Sequence, residues 1–160
     1  QYGYPIESDD ELFGRLILEI NQAGINWTII LNKQGNFRKA YHRFSVKKIA
    51  AYKEKERERL LADAGIIRNR LKIDAVIYNA GVVTGLQKEY GSFKNWLHKH
   101  VGNTHEEWTK LFKKTFKFTG GEITKEFLMS TGYLPGAHTK ECPVYNTIIK
   151  SNPAWLATAK

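Results

Sequence analysis

Apolar residues recur along this chain at three- and four-residue intervals, the spacing that stacks side chains on one face of an α-helix. Leu12, Phe13, Leu16, Ile17 and Ile20 form one such stripe, and Ser8 followed three residues later by Glu11 reads as a capping box. The first helix is therefore expected from about Asp9 to Ala23. Asn26 is placed to cap a second helix through Leu31, closing near Gly35. Asn36 and Ser45 each open a short helix in this reading, with Phe37, Ala40, Tyr41, Phe44, Val46, Ile49 and Ala50 turned inward. Lys53 to Arg59 is densely and alternately charged, the mark of a solvated helix face; Leu60, Leu61 and Ala64 anchor it and Gly65 ends it. A long helix follows from Arg70 to about Tyr90, its core stripe being Ile73, Val76, Ile77, Ala80 and Val83. Ser92 and Thr104 cap two more helices, the second boxed by Glu107, with Trp96, Leu97, Trp108, Leu111 and Phe112 inward. FKFTGG, Phe116 to Gly121, interrupts the pattern before a last helix over Glu122 to Thr131. Strand-like alternation, internal repeats and low-complexity linkers are missing, so the expected fold is all-α.

Composition narrows the partners more than the fold. At 160 residues the chain fits one domain or two small lobes with a substantial core. Twenty-five Lys and Arg against 16 Asp and Glu leave a net charge of +9, spread without any homopolymeric run. A polyanionic partner is expected, nucleic acid first and an anionic membrane surface second. The single cysteine excludes an internal disulfide, and no apolar run is long enough to span a bilayer or to act as a secretory leader. These features suit a reducing cytoplasmic or nuclear setting. The first residue is Gln1, which suggests that a segment precedes it in the natural product.

Chemistry can be concentrated in LEINQAGINW, Leu18 to Trp27. Glu19 lies at the edge of the apolar stripe, where a half-desolvated carboxylate aimed into a cleft interacts more strongly than one in open water. Gly24 breaks the helix and Trp27 follows within reach. The plainer alternative makes Glu19 a solvated flank and Trp27 core. A second candidate is the Phe116–Gly121 turn: free amides of Thr119, Gly120 and Gly121 at the start of a helix, with Lys113, Lys114 and Lys117 around them, could hold a DNA phosphate without reading sequence. An ordinary helix–helix turn with surface lysines is the alternative there. His138 and Cys142 form an H-x3-C pair, half of a tetrahedral zinc set, although such a pair by itself is more often coincidence. His42, His98, His100 and His105 lie on basic or polar stretches and are expected to be solvated.

Taken in order, LEINQAGINW, DAGIIRNR at Asp63 to Arg70, FKFTG at Phe116 to Gly120 and HTKEC at His138 to Cys142 make the chain resemble the DNA-3-methyladenine glycosylase I family across nearly all of residues 1–142. The resemblance implies a helix-hairpin-helix glycosylase fold, removal of 3-methyladenine from alkylated DNA, and one structural zinc tying the chain ends together. It implies that Glu19 contacts the flipped base, that Trp27 lines the pocket, and that Gly24 and Ile25 belong to a loop that wedges into the duplex, with Gln22 beside it. Ile25 stands where leucine is usual, and Tyr2, a base-pocket candidate, where tryptophan is usual. The family's other two zinc ligands, a cysteine and a histidine, and its base-stacking tyrosines would precede Gln1, so His138 and Cys142 are a half-site and zinc is expected to be weak or absent in this form. Related glycosylases use an aspartate after the hairpin; this chain has none beyond Asp74, which fits the resembled family.

The expectation is a monofunctional DNA glycosylase of base excision repair acting on alkylated double-stranded DNA by base flipping. It would be a cytoplasmic monomer with a glycosylase domain over residues 1–142 and a short extension over 143–160. The alternative is a helical DNA-binding module without catalysis. No lysine is placed as a Schiff-base nucleophile, so strand cleavage is not expected.

Overall fold

The computed structural model describes residues 5–22, 26–136 and 149–158; the side chains of Trp27, Ala157 and Thr158 lie outside that description. Eight α-helices are described: α1 (Asp9–Gln22), α2 (Trp27–Ala40), α3 (Val46–Ala50), α4 (Glu54–Leu61), α5 (Arg70–Tyr90), α6 (Phe93–Lys99), α7 (His105–Thr115) and α8 (Gly121–Ser130). Short 3-10 turns cover His42–Phe44 and Ala154–Thr158, and no strand occurs among the described residues. The all-α expectation holds.

α1 is the hub, packing against α2, α3, α5, α6 and α8. Its apolar stripe of Leu12, Phe13, Leu16, Ile17 and Ile20 is completely buried, and the same core takes Ile73, Val76 and Ala80 of α5, Trp96 of α6, Phe112 of α7 and Phe127 of α8. The three acids opening α1 each hold a different element. Asp9 accepts from the backbone N–H groups of Phe93 and Lys94 (2.8 and 3.0 Å), placing negative charge at the N-terminus of α6. Asp10 accepts from Val46 N at the start of α3 (3.0 Å), and Glu11 takes both guanidinium nitrogens of Arg38 on α2 (2.6 and 2.9 Å). The capping box expected at Ser8 is accordingly half formed: Glu11 N–H donates to Ser8 Oγ (3.3 Å), while the Glu11 carboxylate is engaged by Arg38.

Several boundaries differ from expectation. α2 runs unbroken through Gly35 and Asn36 to Ala40, because Phe37 is fully buried and packing outweighs the roughly 1 kcal/mol helix penalty of glycine. Asn36 therefore begins no helix. α4 ends at Leu61, and Ala64 is exposed; Leu60 alone of the three anchors is fully buried. The long helix, the caps by Asn26, Ser45, Ser92 and Thr104, and the Thr104–Glu107 box are as expected. α8 begins at Gly121 and ends at Ser130, one residue earlier than predicted at each end.

After α2 the chain makes a left-handed turn through His42, Arg43 and Phe44, with φ of 51°, 55° and 62°. Such a run costs on the order of 1–2 kcal/mol per residue and needs compensation from packing. Phe44 provides it by filling the space over Gly14, where a Cβ would stand 2.3 Å from the ring. At the other end, Trp155 N–H donates to the Gly132 carbonyl (3.1 Å), which ties residues 154–158 back to the helices.

Candidate active site

α1 delivers Glu19 into the interior. The residue is 1 % exposed, more buried than its place at the edge of the stripe suggested, because α8 covers that flank of α1. Among the described residues its Oε1 has no hydrogen-bond partner. Burial raises the carboxyl pKa from 4.5 to about 7, with Arg15 one turn earlier lowering it and Glu126 of α8 raising it. A carboxyl in this state holds its proton to higher pH than an exposed one and, among the described residues, has an acceptor without a partner. It is suited to a ligand that brings both N–H donors and positive charge. The solvated-flank alternative for Glu19 is excluded by this burial.

The last turn of α1 is held from below. Asn21 Nδ2 donates to Ile17 O (2.8 Å), and Lys72 of α5, itself 7 % exposed, donates from Nζ to the Asn21 carbonyl (3.3 Å). A cation at a helix C-terminus is favoured by the dipole as well as by the orphan carbonyls there. Gln22 ends α1 and is half-buried. Gly24, Ile25 and Tyr2 lie outside the described residues, as does the side chain of Trp27, whose backbone opens α2. A cleft of about 370 Å³ bounded by Gly14, Arg15, Leu18, Gln34, Arg38 and Phe44 runs along α1, but Glu19 does not line it.

The second candidate is built by α7, the turn 116–120 and α8. Asn79 of α5, completely buried, makes a two-point contact with the backbone of one residue: Nδ2 donates to Lys117 O (2.9 Å) and Oδ1 accepts from Lys117 N–H (2.8 Å). Phe118 then adopts φ 62° and is 41 % exposed. Thr119 is buried, its hydroxyl donating to Phe112 O (3.0 Å) and its carbonyl accepting from Thr124 Oγ1 (3.1 Å). Gly120 is the N-cap of α8 and brings no side chain to the first-turn amides. Its φ of −66° suits any residue, and no atom lies within 4 Å of where its Cβ would be. Neither backbone nor internal packing calls for glycine at 120. Gly121 has ordinary packing space and its carbonyl lies 3.0 Å from His105 Nε2. Lys113, Lys114 and Lys117 are exposed, with the Lys117 ammonium 4.1 Å from the centre of the Tyr78 ring.

Lys72, Asn79, Tyr78 and His105 were not singled out in the sequence. The signal was available for two: Lys72 and Asn79 are seven residues apart on α5, at the border of its apolar stripe, where polar residues are buried if they have partners. His105, read as simply solvated, is exposed but touches the hairpin. His138 and Cys142 lie outside the described residues, and among the described residues no cluster of three or more His, Cys, Asp or Glu could hold a metal ion.

An all-helical fold that buries a carboxyl without a hydrogen-bond partner among the described residues, in a chain of net charge +9, suits an enzyme acting on a polyanionic substrate such as nucleic acid. The chain belongs to the methyladenine glycosylase family, whose profile matches residues 1–111. It is 32 % identical over 164 aligned residues to DNA-3-methyladenine glycosylase 1 of Escherichia coli K12, covering 91 % of this chain and 87 % of that protein. Among solved structures it is similar to 3-methyladenine DNA glycosylase I, with a TM-score of 0.81 at 31 % identity, covering 89 % of this chain and 88 % of the other. A variant of that enzyme in complex with 3-methyladenine superposes with a TM-score of 0.82 at 28 % identity, covering 89 % and 86 %.

Proposed function

We propose that this chain is a monofunctional DNA glycosylase that hydrolyses the N-glycosidic bond of 3-methyladenine in alkylated DNA, with Glu19 as the group that selects the damaged base. The buried, unpartnered Glu19 carboxyl carries this reading.

Adenine methylated at N3 is cationic while attached to the sugar. It leaves readily, because the electron pair of the breaking C1′–N bond cancels its charge and water supplies the oxygen that bonds to C1′. The protein therefore has less acid catalysis to perform than with a normal base. The flipped cation gives Glu19 a counter-charge and N–H donors, offsetting the cost of burying the carboxylate. Trp27 contributes a ring for cation–π stacking worth on the order of 1–2 kcal/mol when desolvated, with Tyr2 and Gln22 near the same base and Gly24 and Ile25 in the wedge. The amides of Thr119, Gly120 and Gly121, with Lys117, hold a phosphate of the double-stranded DNA independently of sequence.

Zinc has a structural role in this reading. His138 and Cys142 supply two of its four ligands, and metal analysis of the protein, with and without a chelator, tests that role. A monomer working in the cytoplasm suits such an enzyme; no described helix is long and apolar enough to cross a membrane.

The test is release of free 3-methyladenine from methylated duplex DNA. Binding of such DNA without release of the base would make the chain a DNA-binding module and sink the enzymatic reading.

A further inference from the structure

α5 carries two buried polar side chains on one face, and each ends on the backbone of a different part of the site. Lys72 Nζ meets the Asn21 carbonyl at the last turn of α1, two residues beyond Glu19. Asn79 meets both the N–H and the carbonyl of Lys117 at the entrance to the hairpin. Seven residues make nearly two whole turns, so the two side chains leave α5 in almost the same direction, about 10 Å apart along its axis. Val76 and Ile73 between them are buried, which fixes α5 in the core and makes it the stiff member of the arrangement.

We propose that Lys72 and Asn79 are positioning residues, and that α5 sets the separation between the base-selecting end of α1 and the phosphate-holding hairpin. A flipped base and a phosphate of the same duplex are a fixed distance apart, so an enzyme that grips both must hold its two grips at a matching distance. Two buried contacts to main chain do this better than side-chain packing, because each fixes an orientation as well as a position. Both contacts are also costly to break. Removing Lys72 Nζ takes the donor from a buried carbonyl, and removing the Asn79 amide breaks both part-buried bonds to Lys117. The hairpin depends on its contact most, since Phe118 in the left-handed region follows immediately and needs its neighbours held. The inference rests on the phosphate-holding reading of the hairpin given above.

Asn79→Leu preserves volume and removes both hydrogen bonds; Lys72→Met preserves length and removes the donor. Four measurements are made on each: melting temperature, affinity for undamaged duplex as a function of salt, affinity for free 3-methyladenine, and the rate of base release. Asn79→Leu is expected to weaken undamaged duplex by about tenfold and to make the salt dependence shallower, with free-base affinity unchanged. Lys72→Met is expected to weaken free base and slow release by about tenfold while leaving undamaged duplex within about twofold. Lys72→Gln, which restores a neutral donor, should recover part of the rate. Losses of duplex affinity, free-base affinity and rate that are equal in both variants and track their melting temperatures would overturn the proposal, since that is what general loosening of the core produces. Gly120→Val separates this inference from the hairpin reading. If Gly120→Val weakens duplex binding and Asn79→Leu does not, the positioning role fails and the hairpin contact stands. If Asn79→Leu weakens it and Gly120→Val does not, positioning stands and the phosphate contact moves off the glycine amides. If neither weakens it, both readings fall.

Discussion

The end of α1 and the 116–121 hairpin handle polarity in opposite ways. At Glu19 a carboxyl is buried with an acceptor oxygen unused, and its pKa is pushed up to about 7. In the hairpin, Asn79, Thr119 and Thr124 satisfy backbone groups internally, and the charges sit outside in water on Lys113, Lys114 and Lys117. Under the proposed function, the first region gives up stability until a ligand arrives, and the second is complete beforehand and works by local field. Selection of a rare cationic base calls for the first arrangement, since a desolvated charge discriminates strongly. Holding any duplex calls for the second, since phosphate contacts must tolerate all sequences.

The sharpest way to break this contrast is Glu19→Gln. Base release should fall by at least about a hundredfold while affinity for undamaged duplex changes by less than about twofold. Equal losses in the two assays would place Glu19 in general folding or binding.

The same substitution should alter stability, in a pH-dependent way. Because the folded pKa of Glu19 stands above its unfolded value, the folded state binds the extra proton between pH 4.5 and about 7. The contribution is fully present below pH 4.5, is lost as pH rises through that window, and is level above it. The shift corresponds to about 3 kcal/mol at most. Glu19→Gln lacks this dependence, so thermal melts should bring the variant several degrees above the parent at pH 8 relative to their difference at pH 4.5. Parallel melting curves across that range would mean that the carboxyl finds compensation inside the fold. The kcat/KM profile for base release should rise with pH through the same window, as the carboxylate forms in the free enzyme.

Hairpin variants should be milder and blind to damage. Gly120→Val, which places a side chain where there is now open space, should weaken damaged and undamaged duplexes alike by about tenfold. Lys117→Ala should weaken both by a few-fold and reduce the salt slope by about 1. A Gly120 variant with normal melting and unchanged affinity would show that DNA does not approach those amides.

Most of the helices were legible because each carries its own instructions: an apolar stripe, and a cap whose hydrogen bond is local. Ser45, Ser92 and Thr104 all cap as their short side chains allow, and the Arg70–Tyr90 helix has the extent its stripe implies. Gly35 and Asn36 misled because a weak local preference for stopping was outweighed by the burial of Phe37, which is a long-range fact.

Of the two candidate sites, the sequence determined the residue types and their order: an acid near the end of an apolar helix, and glycines and lysines around a break between two others. What it could not determine is environment. Whether Glu19 faces water or the interior depends on α8, more than a hundred residues later in the chain, covering that flank of α1. The same holds for Asp9, Asp10 and Glu11, which read as one helix start and instead hold α6, α3 and α2. It holds again for Lys72 and Asn79, whose backbone partners lie 51 and 38 residues away. Local hydrogen bonds and periodicity are written in consecutive residues; desolvation and the partners of buried polar groups come into being only when distant segments pack, so tertiary structure alone decided them.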